Sequence, residues 1–426
     1  MRGRREKLLV QSFVLMIASG CENLAWSEES AIGSNIEQLL DFARQNNPEY
    51  AVMRHEADAA GERIVPAGAL PDPKFRTELQ DITKMGEQDL TLLPGEVGKT
   101  KYTLMQDLPW YGKRDLQRGI AELEAKSAQG RVRGRWAELA ARIKSTHARL
   151  YYVHQNARLV REILDLTGRL EKVAQVRYAG GLGVQQDVIR AQIEQTGMRN
   201  ELLELDGEYS QLRARTNALL ARPAGAALAD PGPLRPLPAV EKLDFLALEE
   251  RIRTGNPQIF VEETKIRSAE MNRELTYKNR YPDFTVGLSP IQYGNSIDDW
   301  EVMFELNIPL QQSARRAQER EAESMLAAAH ASKQAASNRI LGQLAESLSA
   351  IEAARQAEWL MASSLVPQAE LTFNSALAAY ENGKVDFATL LEAQKQIRQA
   401  RQNRIRAQVE AQMRLAEVEM LLGEDL

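Results

Sequence analysis

The residues able to do chemistry are few and far apart. Cys21 is the only cysteine among 426 residues, so it cannot close an intrachain disulfide. It follows the small residues Ala18, Ser19 and Gly20, a context in which its thiol would be acylated. The ordinary alternative is an incidental cysteine at the end of an export signal. His147 and His154 are seven residues apart on one helix face. Two turns put them roughly 10 Å from each other, too far to share a metal ion. The 12 methionines are scattered, and no Cys/His spacing suits zinc. No phosphate loop, dinucleotide turn, nucleophile elbow or His-Glu-x-x-His pattern is present. The sequence thus offers no catalytic residues, no metal site and no cofactor, and its elements must explain the protein.

Arg2, Arg4, Arg5 and Lys7 precede an apolar run from Leu8 to Ala18, which reads as a signal peptide over residues 1–20. With Cys21 as first mature residue, Ala18-Ser19-Gly20-Cys21 resembles a lipobox apart from Ala18, and lipidation at Cys21 is expected. The run is shorter than the roughly 20 residues of a spanning helix, and no later run of that length exists. A multi-helix membrane transporter is excluded. A β-barrel is not, because its strands need only about 10 alternating residues. A formal charge of −5 disfavours nucleic acid as a partner.

Beyond the signal the chain reads as one plan used twice. Tyr178, Gly181, Ala191 and Gln192 recur as Tyr380, Gly383, Ala393 and Gln394 at a constant offset of 202. Asn46-Asn47-Pro48 is answered by Gly255-Asn256-Pro257. The first unit is expected over 35–222 and the second over 239–424, with a Pro-rich linker at 223–238. Each unit reads as helix, two strands, a very long helix, a tight turn and a return helix. In the first, strands are expected near 72–82 and 99–109, the long helix near 112–178 and the return near 184–221. In the second the strands fall near 282–289 and 299–309, the long helix near 311–381 and the return near 386–422.

Strict alternation carries the strands: Trp300, Val302, Phe304, Leu306 and Ile308 share one face, Glu301, Met303, Glu305 and Asn307 the other. Ile82 to Gly98 and Ser289 to Asp299 are expected as exposed hairpin tips. In the long helix, Leu139, Ile143, Thr146, Leu150, Val153, Ala157, Val160 and Leu164 step 4-3-4-3, the seam of a supercoil. Such a helix runs roughly 100 Å at about 1.5 Å per residue. Pro367 should kink or adjust its counterpart. The class is mainly α with a small β part. A soluble sheet under a helix, or a coiled-coil spacer, would explain the strands or the helices separately.

Several segments in their order carry a resemblance. They are Pro71-Asp72-Pro73, Gln106-Asp107-Leu108-Pro109-Trp110-Tyr111-Gly112-Lys113-Arg114 and Tyr281-Pro282-Asp283-Phe284, with the turns Arg177-Tyr178-Ala179-Gly180-Gly181 and Ala379-Tyr380-Glu381-Asn382-Gly383. With them the chain resembles the TolC family of outer-membrane efflux channels over nearly all its mature length. The resemblance implies a homotrimer in which each protomer gives four strands to one shared transmembrane β-barrel of twelve. Long antiparallel helices continue it as a periplasmic α-barrel. It also implies a periplasmic adaptor (membrane fusion) protein, an inner-membrane pump of the resistance-nodulation-division (RND) type, and outer-membrane lipid as partners. The Leu108 to Arg114 segment looks like the heavy-metal branch.

The resemblance also places a periplasmic aperture at the turns, formed by Tyr178, Gly181, Asp187, Tyr380, Gly383, Thr389 and Glu392. Glu392 falls at an acidic pore position, Thr389 replaces a second acid, and the partner of Asp187 on the neighbouring segment is either absent or supplied by Lys384. Tyr102, Trp110 and Tyr111 are expected near one end of the strands and Trp300 near the other, as membrane-interface aromatics.

Overall fold

In the computed structural model, residues 32–86 and 89–426 are described. The signal segment and Cys21 lie outside them. Helices α1 (Ile36–Asn46), α2 (Pro48–Glu62) and α3 (Ile64–Gly68) lead into strands β1 (Lys74–Gln80) and β2 (Lys99–Leu108). Helix α4 (Lys113–Ala179) then runs for 67 residues and turns into α5 (Gln185–Leu219). After the linker come α6 (Phe245–Gly255), α7 (Pro257–Lys278), β3 (Phe284–Tyr293) and β4 (Ser296–Leu306). Helix α8 (Gln312–Leu360), a π-helical turn at Met361–Leu365, α9 (Val366–Glu381) and α10 (Phe387–Leu422) complete the chain.

Four helices stand side by side at every level. Towards the turns, α4 packs on α5 and α10, and α10 on α8 and α9; towards the sheet, α4 packs on α2 and α7, and α7 on α8. The two levels are joined by a pair of asparagines. Asn47 caps α2, accepting from the Tyr50 amide at 3.0 Å, and its own amide donates to the Leu219 carbonyl at the end of α5 at 2.8 Å. Asn256 caps α7 through the Gln258 and Ile259 amides and donates to Leu421 near the end of α10 at 2.7 Å. Each Asn-Pro pair thus satisfies an orphan carbonyl of one helix and orphan amides of the next. Proline follows at the first helical position, where no amide is needed.

Most of the expected seam of α4 is buried, with Leu150, Val153 and Val160 packed on Leu205 and Leu212 of α5, while Ala157 and Leu164 are half-buried. In α8 and α9 the buried positions step 4-3-4-3 from Ile340 through Leu344, Ser347 and Ile351 to Ala354, and again from Ala369 through Phe373 and Ala376 to Tyr380. Ala354 and Ala369 are fifteen residues apart where two heptads would make fourteen. The π-helical turn between them takes up the extra residue, and Pro367, which has no amide to donate and crowds the Ser363 carbonyl, sits just after it. The expected adjustment is therefore a change of phase within a continuous rod.

At the centre of the rod a buried ion cluster ties the linker down. Lys144 of α4 donates to Glu419 of α10 at 2.7 Å and to Asp425, and Arg235 of the linker donates to the same Glu419 oxygen at 2.7 Å. Glu419 and Lys144 are enclosed, so each neutralises a charge that burial would otherwise penalise heavily.

The strands form one antiparallel sheet in the order β1-β2-β3-β4. The second hairpin differs from expectation at its tip. Ser289 to Asp299 is not a loop: β3 continues to Tyr293 and β4 starts at Ser296, joined through Gly294 (φ 58°) and Asn295. The two-residue turn follows from glycine's freedom at positive φ, and a bulge at Ile291/Gln292 absorbs the mismatch in register.

Candidate functional site

The sheet has two unlike faces. One carries Phe75, Leu104, Phe284, Leu288, Trp300, Val302, Phe304 and Leu306, all exposed, with Phe304 80% accessible. Cross-strand pairs align them: Phe284 opposite Leu306, Val286 opposite Phe304, Leu288 opposite Val302. A contiguous exposed apolar face of this kind needs an apolar surrounding. The opposite face is polar. Lys74 pairs with Asp107 at 2.7 Å, Thr285 donates to Asp107 at 2.7 Å, Thr103 and Ser289 share a hydrogen bond at 2.9 Å, and Lys101 reaches Glu301. Between these pairs Met105 and Met303 cover Gly287, where a Cβ would meet both side chains within 3.4 Å.

A hollow of about 860 Å³ is lined from α2, α4, α7 and α8 together, by Arg63, Glu124, Arg131, Glu262, Lys265 and Glu321 among others. Residues from four adjacent helices can line one hollow only if the helices curve around it. The wall is therefore concave, wet, and charged with both signs.

The aromatic residues sit at two levels. Trp110 stacks on Tyr281 at 5.0 Å and on Phe284 at 5.7 Å, where the strands meet the helices, and Tyr111 beside it is 87% exposed. Tyr102 is not at that end. It lies three residues from the tip end of β2 and stacks on Phe75; the β2–β3 and β3–β4 registers carry its row through Pro290 to Trp300. Strand β2 runs ten residues from Lys99 to Leu108, so Tyr102 and Trp110 fall towards opposite ends of it.

At the far end of the rod the two turns share one backbone design. Gly181 (φ 71°) and Gly383 (φ 69°) follow helix ends whose carbonyls are taken by the Leu182 and Lys384 amides, each at 2.8 Å. Their surroundings differ. Tyr178 is half exposed, whereas Tyr380 is 3% accessible and packs on Phe387 at 5.3 Å. Gln192 lies at the surface on Glu171 (2.9 Å), while its repeat counterpart Gln394 is buried and donates to Thr167 of α4.

Arg177 joins the turns. Its guanidinium lies 4.9 Å over the Tyr380 ring, donating to the Glu381 carbonyl at 2.8 Å and the Leu182 carbonyl at 3.2 Å. Asp187 lies within the same group. Burial pushes its carboxyl above the usual range, Arg190 and Arg177 pull it back, and Asp386 adds to the rise. The cations acting on the Asp187 charge are thus arginines of the first unit, Arg190 and Arg177, and not Lys384. Burial, and then the Asp187 charge, raise the Tyr380 hydroxyl. Thr389 has a different job from a pore acid. Asp386 caps α10 by accepting from the Thr389 amide (2.9 Å) and hydroxyl (2.6 Å), which holds its own carboxyl low. Glu392 is exposed one turn further on.

Sequence reasoning missed Arg177, Arg190 and Asp386 as members of this group. Asp386 had a legible signal, an acidic residue just before an apolar helical run. It was masked because its repeat counterpart is Val184, which caps nothing.

The sequence profile of the family described as "Outer membrane efflux protein" matches residues 39–222 and 248–424. The chain belongs to the outer membrane efflux protein family. It is 22% identical, over 88% of its length and 86% of the relative's, to the cobalt-zinc-cadmium resistance protein CzcC of Cupriavidus metallidurans. In fold it is similar to a membrane protein from Pseudomonas aeruginosa (TM-score 0.79, 17% identity, 93% of this chain and 91% of that one). The outer membrane protein VceC of Vibrio cholerae is likewise similar (TM-score 0.77, 16% identity, 92% and 96%). The efflux-protein fold accounts for both faces of the sheet: this is an outer-membrane efflux channel, with its apolar face towards lipid and a helical extension in the periplasm. No described helix is long and apolar enough to cross a membrane.

Proposed function

We propose that the protein works as a homotrimeric exit duct of a tripartite efflux system, opened by a periplasmic adaptor and supplied by an inner-membrane pump of the RND type. One observation carries this reading. A four-stranded sheet, greasy outside and charged inside, continues into a concave wet wall of four helices, and both structures stop at open edges. Four strands are too few for a barrel, and β1 and β4 leave backbone groups unpaired that lipid cannot satisfy. The outer helices also have apolar residues to cover: Ile189, Ile193 and Leu203 on α5, Trp359 and Leu360 on α8, Leu371 on α9. Three copies close sheet and helices together.

Divalent transition-metal cations are the proposed cargo, on the strength of the likeness to the cobalt-zinc-cadmium resistance protein. The duct itself supplies polarity and width, and selection among ions rests with the pump. The two units and the Pro-rich linker are the proposed domains, within the boundaries given above. Tyr178, Gly181, Asp187, Tyr380, Gly383, Thr389 and Glu392, joined by Arg177, are the proposed aperture. Its adaptor would meet the exposed Val176, Leu182 and Val184 at the first turn. Trp110 and Tyr111 would mark the inner membrane boundary and Tyr102 and Trp300 the outer part, and Cys21 would carry a lipid anchor.

The deciding experiment extracts the mature protein from outer-membrane fractions in detergent, weighs it by light scattering, and reconstitutes it in planar bilayers. A trimer giving stepwise conductance supports the duct. A monomer, or a trimer that never conducts, rejects it.

A further inference from the structure

The free edges of the sheet carry opposite charge on their inward faces. On β1 these positions are Lys74, Arg76 and Glu78, and neighbouring β2 adds Lys99 and Lys101 against the single acid Asp107. On β4 they are Asp299, Glu301 and Glu305, with no cation between them. The inward residues of β3, among them Thr285, Gly287 and Ser289, are uncharged. The wall is thus cationic on balance along the first hairpin and anionic along the second. Part of this charge is matched inside the protomer, by Lys74 on Asp107 and by Lys101 reaching across β3 to Glu301. The remainder stands at the edges. Arg76 has only Glu78, two residues along its own strand at 3.3 Å, and its side chain is 60% accessible. Glu305 has no ion-pair partner among the described residues.

We propose that β4 of one copy pairs with β1 of the next so that Glu305 meets Arg76, and that this charge match sets the register of the seam between subunits. The proposal rests on the trimeric duct and specifies its interface. Slips by an odd number of residues are already forbidden, since they would turn Phe75 and Phe304 into the lumen and Arg76 and Glu305 into lipid. Slips by two or four residues keep the faces, so alternation alone cannot reject them. Opposite charges placed across neighbouring strands favour one of these registers, and like charges penalise the others.

The test compares the wild type with Arg76→Glu, Glu305→Arg and the double swap, each as full-length protein from the outer membrane. The readout is the fraction of trimer surviving a fixed heating step in SDS. Each single reversal should lower that fraction about fivefold, and the double swap should return it close to wild type. Raising the salt concentration before heating should weaken the wild-type trimer and leave a variant neutral at both positions, Arg76→Gln with Glu305→Gln, unaffected. Singles that match wild type, or a double swap no better than its parents, overturn the seam while leaving the duct intact. A wild type that is monomeric in mild detergent removes the duct itself and the seam with it. Circular dichroism on each variant separates lost assembly from lost folding.

Discussion

Arg177 shows how a single side chain can couple two copies of a design. Stacked on Tyr380 and bonded to carbonyls of both turns, it holds the first turn against the second, with Asp187 half-buried nearby. Because the Asp187 carboxyl is raised in the folded turn, its contribution favours the packed arrangement below the ordinary carboxylate range and is lost as pH rises through its elevated value. Channel conductance should therefore fall on acidification through that window, and Asp187→Asn should flatten the profile in bilayer recordings. Glu392 gives a separate expectation. Three copies around one axis would form a carboxylate ring, so Glu392→Gln should lower the cation-to-anion permeability ratio several-fold, measured as a reversal potential under a salt gradient. An unchanged ratio would remove Glu392 from the lumen. These roles were only half legible in sequence. Glycines at matched positions announce turns whatever surrounds them, but an arginine stacked on a tyrosine some 200 positions away leaves no local pattern.

At the scale of elements, the Asn-Pro pairs were legible as landmarks and not as joints. Their spacing marked the repeat, while the bonds from Asn47 to Leu219 and from Asn256 to Leu421 appear only once two helix ends meet. Asn256→Ala removes a cap worth about 1 kcal/mol and also leaves the Leu421 carbonyl unsatisfied. It should destabilise the protein by roughly 2 kcal/mol, and Asn256→Asp, which keeps the cap and loses the donor, should cost less, as read by thermal unfolding in detergent. The strands were legible because period-2 alternation is a local signal. The tip of the second hairpin was misjudged because Gly, Asn and Asp there suggested a loop, where Gly294 and Asn295 alone make the turn.

For the whole molecule, the alternation decides which solvent each face can tolerate. Val302, 65% accessible in the single protomer, looks out from the middle of β4. Val302→Arg should cost about 2–4 kcal/mol in the bilayer, lowering the yield of outer-membrane protein, whereas the same change at lumenal Met303 should be tolerated. Equal losses at both positions would contradict the assigned faces. The long seams and the duplicated plan made this architecture readable from sequence. Closure was not, since residues that meet only between copies have no partner within one chain.

The unequal burial of Tyr178 and Tyr380 bears on how the duct could widen. In the proposed trimer the six turns would alternate between a tethered kind, rooted in Phe387, Leu390 and Ala393, and a looser kind led by the half-exposed Tyr178. Motion would then belong to three leaves and not to six. An iris of that sort opens through a triangular throat, and its intermediate states, if one leaf can move before the others, would number two between shut and fully dilated.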